Sequence, residues 1–153
     1  MIAFDPVFGP HIARAAGVTF NRDADTVLCR LGEGELLGGV IFTGYTGASI
    51  HLHVAGFRPG WINNDMLWAT FHYPFAQLGC KVVFGQVPET NSKALEFNKK
   101  LGFSEVVHIQ DVFPDGGLIL LSMRREDCRW LKLRPRHLKE PTYGQQEQSA
   151  ASA

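Results

Sequence analysis

The spacing of apolar and polar positions changes period midway along the chain. In the first half, three strand-like segments, Thr26 to Leu31, Leu37 to Thr43 and Ser49 to Ala55, are separated by Gly32-Glu33-Gly34 and Gly44-Tyr45-Thr46-Gly47 at hairpin lengths. That pattern predicts an antiparallel meander, preceded by one short helical turn from about Pro10 to Ala16 that Gly17 ends. From about Asn63 to Leu78 the apolar positions, among them Met66, Leu67, Ala69, Phe71, Phe75 and Leu78, fall close to helical spacing. Asn63, Asn64 and Asp65 form a helix start and Gly79 a stop, while Pro74 predicts a kink or an early break near Phe71.

Lys81 to Val87 then reads as a short, continuously apolar strand. The run Asn91 to Phe103 carries its own helix punctuation: Asn91 as N-cap, apolar Ala94, Leu95, Phe97 and Leu101 on one face, lysines in the last turn, and Gly102 just past the end. Strands from about Glu105 to Val112 and Leu118 to Met123 flank a turn at Pro114-Asp115-Gly116-Gly117. The order ββ(β)-α-β-α-β-β predicts a single α/β domain with a mixed sheet. Within it the crossover from Ser49–Ala55 to Lys81–Val87 is expected to be parallel and right-handed.

Composition narrows the setting. A chain of 153 residues with 45% hydrophobic content is long enough for one full core. Fifteen basic and fifteen acidic residues give no overall polyelectrolyte signal for nucleic acid or membrane. No apolar run approaches the ~20 residues of a membrane span, and Met1 to Asp5 show neither a basic region nor a long apolar stretch, so no secretory signal is expected. Cys29, Cys80 and Cys128, without CxxC spacing, read as free or buried thiols in a reducing cytoplasm.

The N-x-x-A-x-x-x-x-x-K-x-G-F frame of Asn91 to Phe103 resembles the second CoA-proximal helix of the GNAT superfamily of N-acyltransferases, and the element order is the one that superfamily uses. The resemblance covers roughly Val27 to Met123 and implies a splayed central strand pair holding the pantetheine arm of acetyl-CoA or another acyl-CoA. It also implies a pyrophosphate turn at the next helix start, where unpaired N–H groups and the helix dipole favour anions. The family's Q/R-x-x-G-x-G/A turn is matched here by Phe57-Arg58-Pro59-Gly60-Trp61-Ile62-Asn63-Asn64, with Arg58 and Gly60 present, the second glycine missing and Trp61 inside the loop. By resemblance, the cofactor-binding candidates are Val54, Ala55, Arg58, Gly60, Trp61, Ile62, Asn63 and Asn91, with backbone N–H groups near Val54 to Gly56 polarising the thioester carbonyl. Asn98 stands where the family carries a proton-donating tyrosine; an amide hydrogen-bonds but does not act as that acid.

The remaining candidates come from residue chemistry. His51 and His53, at i, i+2 spacing, point to one face of the sheet. The resemblance implies an amine-deprotonating base on this strand, a task that His53 suits with its ordinary pKa of ~6.5, and the pair also offers two metal ligands. Tyr73, beside Pro74, is a candidate donor to substrate, against the bland reading of a helix anchored by one hydrogen bond. Between Arg124 and Lys139 seven basic residues face Glu126 and Asp127, a local net of +5, so DNA contact with Trp130 as a stacking face stands beside a terminal turn at Arg125 to Leu131 whose Trp130 and Leu131 dock on the sheet. The domain is expected to span residues 1–131, with 132–153 a basic and then polar, disordered tail.

Tyr73-Pro74-Phe75, the Asn91 helix and the Arg125-x-x-Cys128-Arg129-Trp130-Leu131 ending resemble the compact GNAT-like proteins of bacteriophages and prophages. More distantly, the chain resembles the Mom DNA-modification type of phage Mu. The implied activity is acyl-CoA-dependent transfer, of acetyl to an amine. A DNA base-modifying enzyme and a non-catalytic GNAT-like binding or homodimerising module are the alternatives.

Overall fold

A computed structural model describes residues 1–136. Its strands are β1 (Ile2–Phe4), β2 (Thr26–Gly32), β3 (Glu35–Thr43), β4 (Ser49–Gly56), β5 (Val82–Pro88), β6 (Ser104–Phe113) and β7 (Gly116–Arg124), and its helices are α1 (Gly9–Ala16), α2 (Asn64–His72) and α3 (Ser92–Leu101). They form one seven-stranded sheet in the order β1-β2-β3-β4-β5-β7-β6, antiparallel throughout except for the β4–β5 pair. The meander, the parallel crossover and the final hairpin expected from the sequence are all present.

Local chemistry explains most element boundaries. Glu33 and Gly34, both at positive φ, form the two-residue turn of the β2–β3 hairpin, the backbone hand that suits twisted strands. Gly17 and Gly102 end α1 and α3 in the left-handed conformation, and Asn63 and Asn91 cap α2 and α3 by accepting from Met66 and Ala94 N–H. The α-helix ends at His72, beside the break expected near Phe71, and the chain continues past Pro74 in a different helical form. Tyr73–Gln77 widens into a π-turn in which Leu78 N–H donates to Tyr73 C=O at 3.0 Å, so the wider turn absorbs the missing proline donor. β1 escaped the sequence reading because three residues show no usable period; pairing of Ile2, Ala3 and Phe4 with β2 defines it.

The two sheet faces are covered unequally. One packs Leu28, Val40, Phe42, Ile50, Leu52, Val83 and Leu121 against α2 and the inner side of α3. The other is covered only over β2 to β4, where Ile12 and Ala13 of α1 meet Val27, Cys29, Ile41 and Ala55. Beyond Arg124, two short 3-10 turns, Arg125–Asp127 and Arg129–Lys132, replace the single turn expected. Trp130 Nε1–H donates to Leu101 C=O at 2.7 Å and Arg129 to Lys100 C=O at 2.6 Å, so both residues satisfy the carbonyl end of α3. Packing continues past Leu131: Leu133 joins the core and Arg136 N–H donates to Asp65 Oδ1 at 2.9 Å. The rest of the expected tail, residues 137–153, lies outside the described residues.

Candidate active site

The parallel ladder between β4 and β5 is short. Ser49 to Leu52 pair with Val82 to Gly85, and there the pairing stops, although β4 stays in register with β3 as far as Gly56 and β5 with β7 as far as Pro88. The upper ends of two central strands therefore diverge inside an otherwise continuous sheet.

Strand alternation shows which peptide groups the gap leaves unpaired. Ala48 C=O accepts from Lys81 N–H at 2.7 Å, towards β5, whereas Phe57 N–H donates to Leu37 C=O at 2.9 Å, towards β3. Even-numbered β4 residues thus turn their peptide groups to β5, and Val54 and Gly56 present theirs to the gap. Ala55, among the backbone donors expected from the sequence, turns its N–H to β3; its side chain is what reaches the cleft. On β5, Glu89 N–H bonds Gly117 C=O across to β7, which leaves the peptide groups of Gln86 facing β4. Pro88, next on that side, has no N–H, and its carbonyl accepts from Asn91 N–H.

A cleft of about 430 Å³ runs through this divergence. Leu52, His53, Val54 and Ala55 form one wall, Gln86, Val87 and Pro88 the other, and Asn91, Lys93, Ala94, Phe97 and Asn98 of the α3 segment close one side. Its residue types are mostly apolar, and among the described residues Lys93 is its one charged residue. Sequence reasoning missed Gln86 and Lys93. The signal for Gln86 was present, since it is the polar residue in a segment read as continuously apolar, and it is exposed.

His53 reaches the cleft and His51 lies beside it. His53 Nε2 is 2.9 Å from Thr43 Oγ1, and Gln86 Nε2 donates to His51 Nδ1 at 3.1 Å. The two rings are nearly parallel, 7° apart in plane, with centroids separated by 6.5 Å, as same-face neighbours on one strand require. Burial, reinforced by the neighbouring His51, pushes the His53 imidazole down to about 4, and burial also lowers His51. Both rings are neutral at physiological pH, which corrects the expectation of a base near its ordinary pKa. As metal ligands the pair acquires no third partner: among the described residues no group of three or more His, Cys, Asp or Glu is placed to hold a metal ion.

The other candidates separate into those in the cleft and those outside it. Asn98 is in it, with Nδ2–H donating to Ala94 C=O at 2.8 Å. A Cβ at Gly85 would lie 3.0 Å from Asn98 Oδ1, so the glycine lets Asn98 approach the strand backbone closely. Asn91 lines the cleft while its side chain caps α3. Tyr73 is a correction: it is 0% exposed, its hydroxyl lies 3.2 Å from Thr26 Oγ1, and its ring packs on Phe4 and Phe42. It anchors the core and does not reach the cleft.

The turn before α2 is closed largely by the protein's own groups. Trp61 lines the cleft with its indole laid over Gly38 and Gly56, where a Cβ on either glycine would collide with the ring. Arg30 donates to the Gly60 and Trp61 carbonyls, each at 2.6 Å. Arg58 pairs with Glu35, Asn63 caps the helix, and the Asp65 carboxylate in the first turn is buried under Arg136; Ile62 packs against the core. In the basic segment Arg129 lies 4.2 Å over the Trp130 ring and covers one face of the indole considered for DNA stacking, while Arg124, Arg125, Lys132 and Arg134 are exposed.

No family model and no curated protein matches the chain. Solved structures do. Spermidine N-acetyltransferase SpeG from Vibrio cholerae, in a dodecameric structure, superposes with a TM-score of 0.66 at 12% identity, covering 82% of this chain and 94% of that one. The fold is that of the GNAT N-acetyltransferases. Ard1 from Thermoplasma volcanium aligns at 0.62 and 16% identity over 81% and 96% of the two chains. A GNAT family acetyltransferase from Elizabethkingia anophelis with acetyl-CoA bound aligns at 0.56 and 13% identity over 66% and 76%. The parting of β4 from β5 beyond Leu52 and Gly85 is the strand splay that the resemblance implied. No helix among the described residues is long and apolar enough to cross a membrane.

Proposed function

We propose that the protein is an acyl-CoA-dependent N-acyltransferase, transferring acetyl to an amine, of the compact phage type. The observation that carries this reading is the β4–β5 ladder that stops at Leu52 and Gly85 and leaves the Val54 and Gln86 peptide groups facing a cleft of about 430 Å³. An acyl-CoA supplies an activated thioester carbonyl when bound. Val54 and Gln86 would hold its arm through their backbones, and Asn91 and the Lys93 ammonium would stand along it on the α3 side. Gly60, Ile62 and Asn63 would offer backbone at the α2 turn, with Arg58 at its outer edge. The Val54 N–H supports charge developing on the carbonyl oxygen.

His53, or a water it holds, receives the acceptor's proton. Its depressed pKa suits a nitrogen whose N–H becomes acidic only as the new bond forms. Asn98, an amide in the tyrosine's place, orients groups by hydrogen bonding, and proton return to sulfur passes through solvent. A cytoplasmic setting agrees with three buried, free cysteines whose thiols burial pushes up, to about 11 for Cys29 and Cys80. A homodimer is compatible with the exposed apolar residues of edge strand β6, Val106, Val107, Ile109 and Val112.

Calorimetry with acetyl-CoA tests the reading. Saturable binding is expected, weakened several-fold by Lys93→Glu and by Gln86→Pro, the second of which removes the β5 donor. An absence of binding at millimolar acetyl-CoA would leave the binding-module alternative in its place.

A further inference from the structure

We propose that the acceptor binds and reacts as an uncharged aryl or heteroaryl amine, on the face where His51, His53 and Gln86 meet the cleft. This rests on the acyl-transfer reading above and adds the acceptor class.

The first argument is charge. Among the described residues, Lys93 is the one charged residue that lines the cleft, and no carboxylate does. An alkylammonium entering this space loses water, meets a like charge and finds no counter-ion, which is the costly way to bury a cation. The nearby carboxylates are committed elsewhere. Glu89, next to Pro88, is bound by His108 and the Gly117 N–H; Glu35 pairs with Arg58; Asp65 accepts from Arg136.

The second argument is shape and polarity. α1 leaves this face of the sheet uncovered from β5 onward, and the His51 and His53 rings, nearly parallel to each other, stand on it. Phe84 adds a third ring 5.1 Å from His51, and the cross-strand partner of Gln86 is Leu120. Planar rings interleaved with neutral hydrogen-bonding atoms favour a flat, uncharged ligand. Since the Gln86 amide already donates to His51 Nδ1, that imidazole carries its proton on Nε2 and offers a donor. His53 Nδ1, with no protein partner among the described residues, offers an acceptor or donor according to the direction of the Thr43 bond.

The chemistry agrees with the class. An aryl amine is unprotonated at neutral pH, so its lone pair is available without a strong base. The acceptor nitrogen forms a bond to the acyl carbon, the C–S bond breaks with its electron pair going to sulfur, and the nitrogen's proton passes through His53 or water to that sulfur. The products are an amide and a free thiol.

The test uses the full chain with p-toluidine and 2-aminopyridine against spermidine and a lysine side-chain amine. It reads acetyl-CoA binding by calorimetry, amide product by mass spectrometry at neutral pH, and imidazole NMR signals of His51 and His53 without acetyl-CoA. Expected are acetylation of the aryl amines with kcat/KM at least about tenfold above the alkylamines, and movement of both histidine signals by p-toluidine alone. Gln86→Glu, which places a carboxylate beside His51, should narrow that preference by roughly tenfold. If acetyl-CoA binds and only spermidine or lysine is acetylated, or no aryl amine is acetylated and neither histidine signal moves, the acceptor class is wrong and the acyl-transfer reading stands. If acetyl-CoA does not bind, both fall.

Discussion

From Ser49 to Leu52, β4 is paired with β5, and at His51 and Leu52 with β3 as well; from His53 to Gly56 it is paired only with β3. The lower half buries Ile50 and Leu52 in the main core at 2% and 5% exposure and does structural work. The upper half keeps the same backbone and alternation but turns peptide groups and a histidine onto a cleft. The contrast locates chemistry where a sheet fails to close: an unpaired peptide edge is costly when empty, and it supplies fixed dipoles to a ligand that satisfies it.

The strongest way to break this contrast is Ile50→Ala. Removing a buried side chain from the β5-paired half should cost about 2–5 kcal/mol in denaturant unfolding while leaving the acetyl-CoA Kd of the folded protein unchanged; lost affinity with little lost stability would show that the halves are not separable. Gly56→Ala probes the open half. Its methyl collides with the Trp61 ring, so about 1–3 kcal/mol of stability should be lost together with a shift in Trp fluorescence and weaker acetyl-CoA binding. Unchanged fluorescence would mean that the indole is not seated there.

Acid should sharpen the same contrast. As pH falls below the ordinary 6.5, the unfolded chain takes up a proton that folded His53 resists until about 4. Stability is therefore full above about 6.5 and declines across that window by roughly 1–3 kcal/mol, with His51 adding in the same direction. His53→Gln should flatten the decline; identical slopes for the two proteins would remove the buried neutral histidine from the account. The smallest effect is expected from Tyr73→Phe, about 1 kcal/mol through the lost Thr26 contact, with acyl transfer unaltered. A collapse of kcat at unchanged stability would return Tyr73 to the site.

Much of the scaffold was legible because its signals are local. Asn91, the lysines and Gly102 bracket α3, and the glycines around Glu33 mark the β2–β3 turn, where Gly34 takes positive φ without cost. The site was legible only in part. His53, Val54, Asn91 and Asn98 reached the cleft as their strand and helix positions implied, because alternation within one strand fixes which side chains share a face. Tyr73 did not. Its place depends on the π-turn at Pro74 and on Thr26 and Phe42, which belong to strands far away in sequence. Within the basic segment, charge count alone did not reveal that Arg129 and Trp130 bond the carbonyl end of α3, contacts between residues 29 apart in sequence.

The chain's own order of turns, caps and periods determined a mixed α/β sheet with one parallel crossover, since these features depend on neighbours a few residues apart. Tertiary structure alone decided where that parallel pair parts, that Trp61 settles on Gly38 and Gly56, and that both histidines are held neutral. Each of those outcomes depends on burial and on contacts between segments tens of residues apart, which no local pattern encodes.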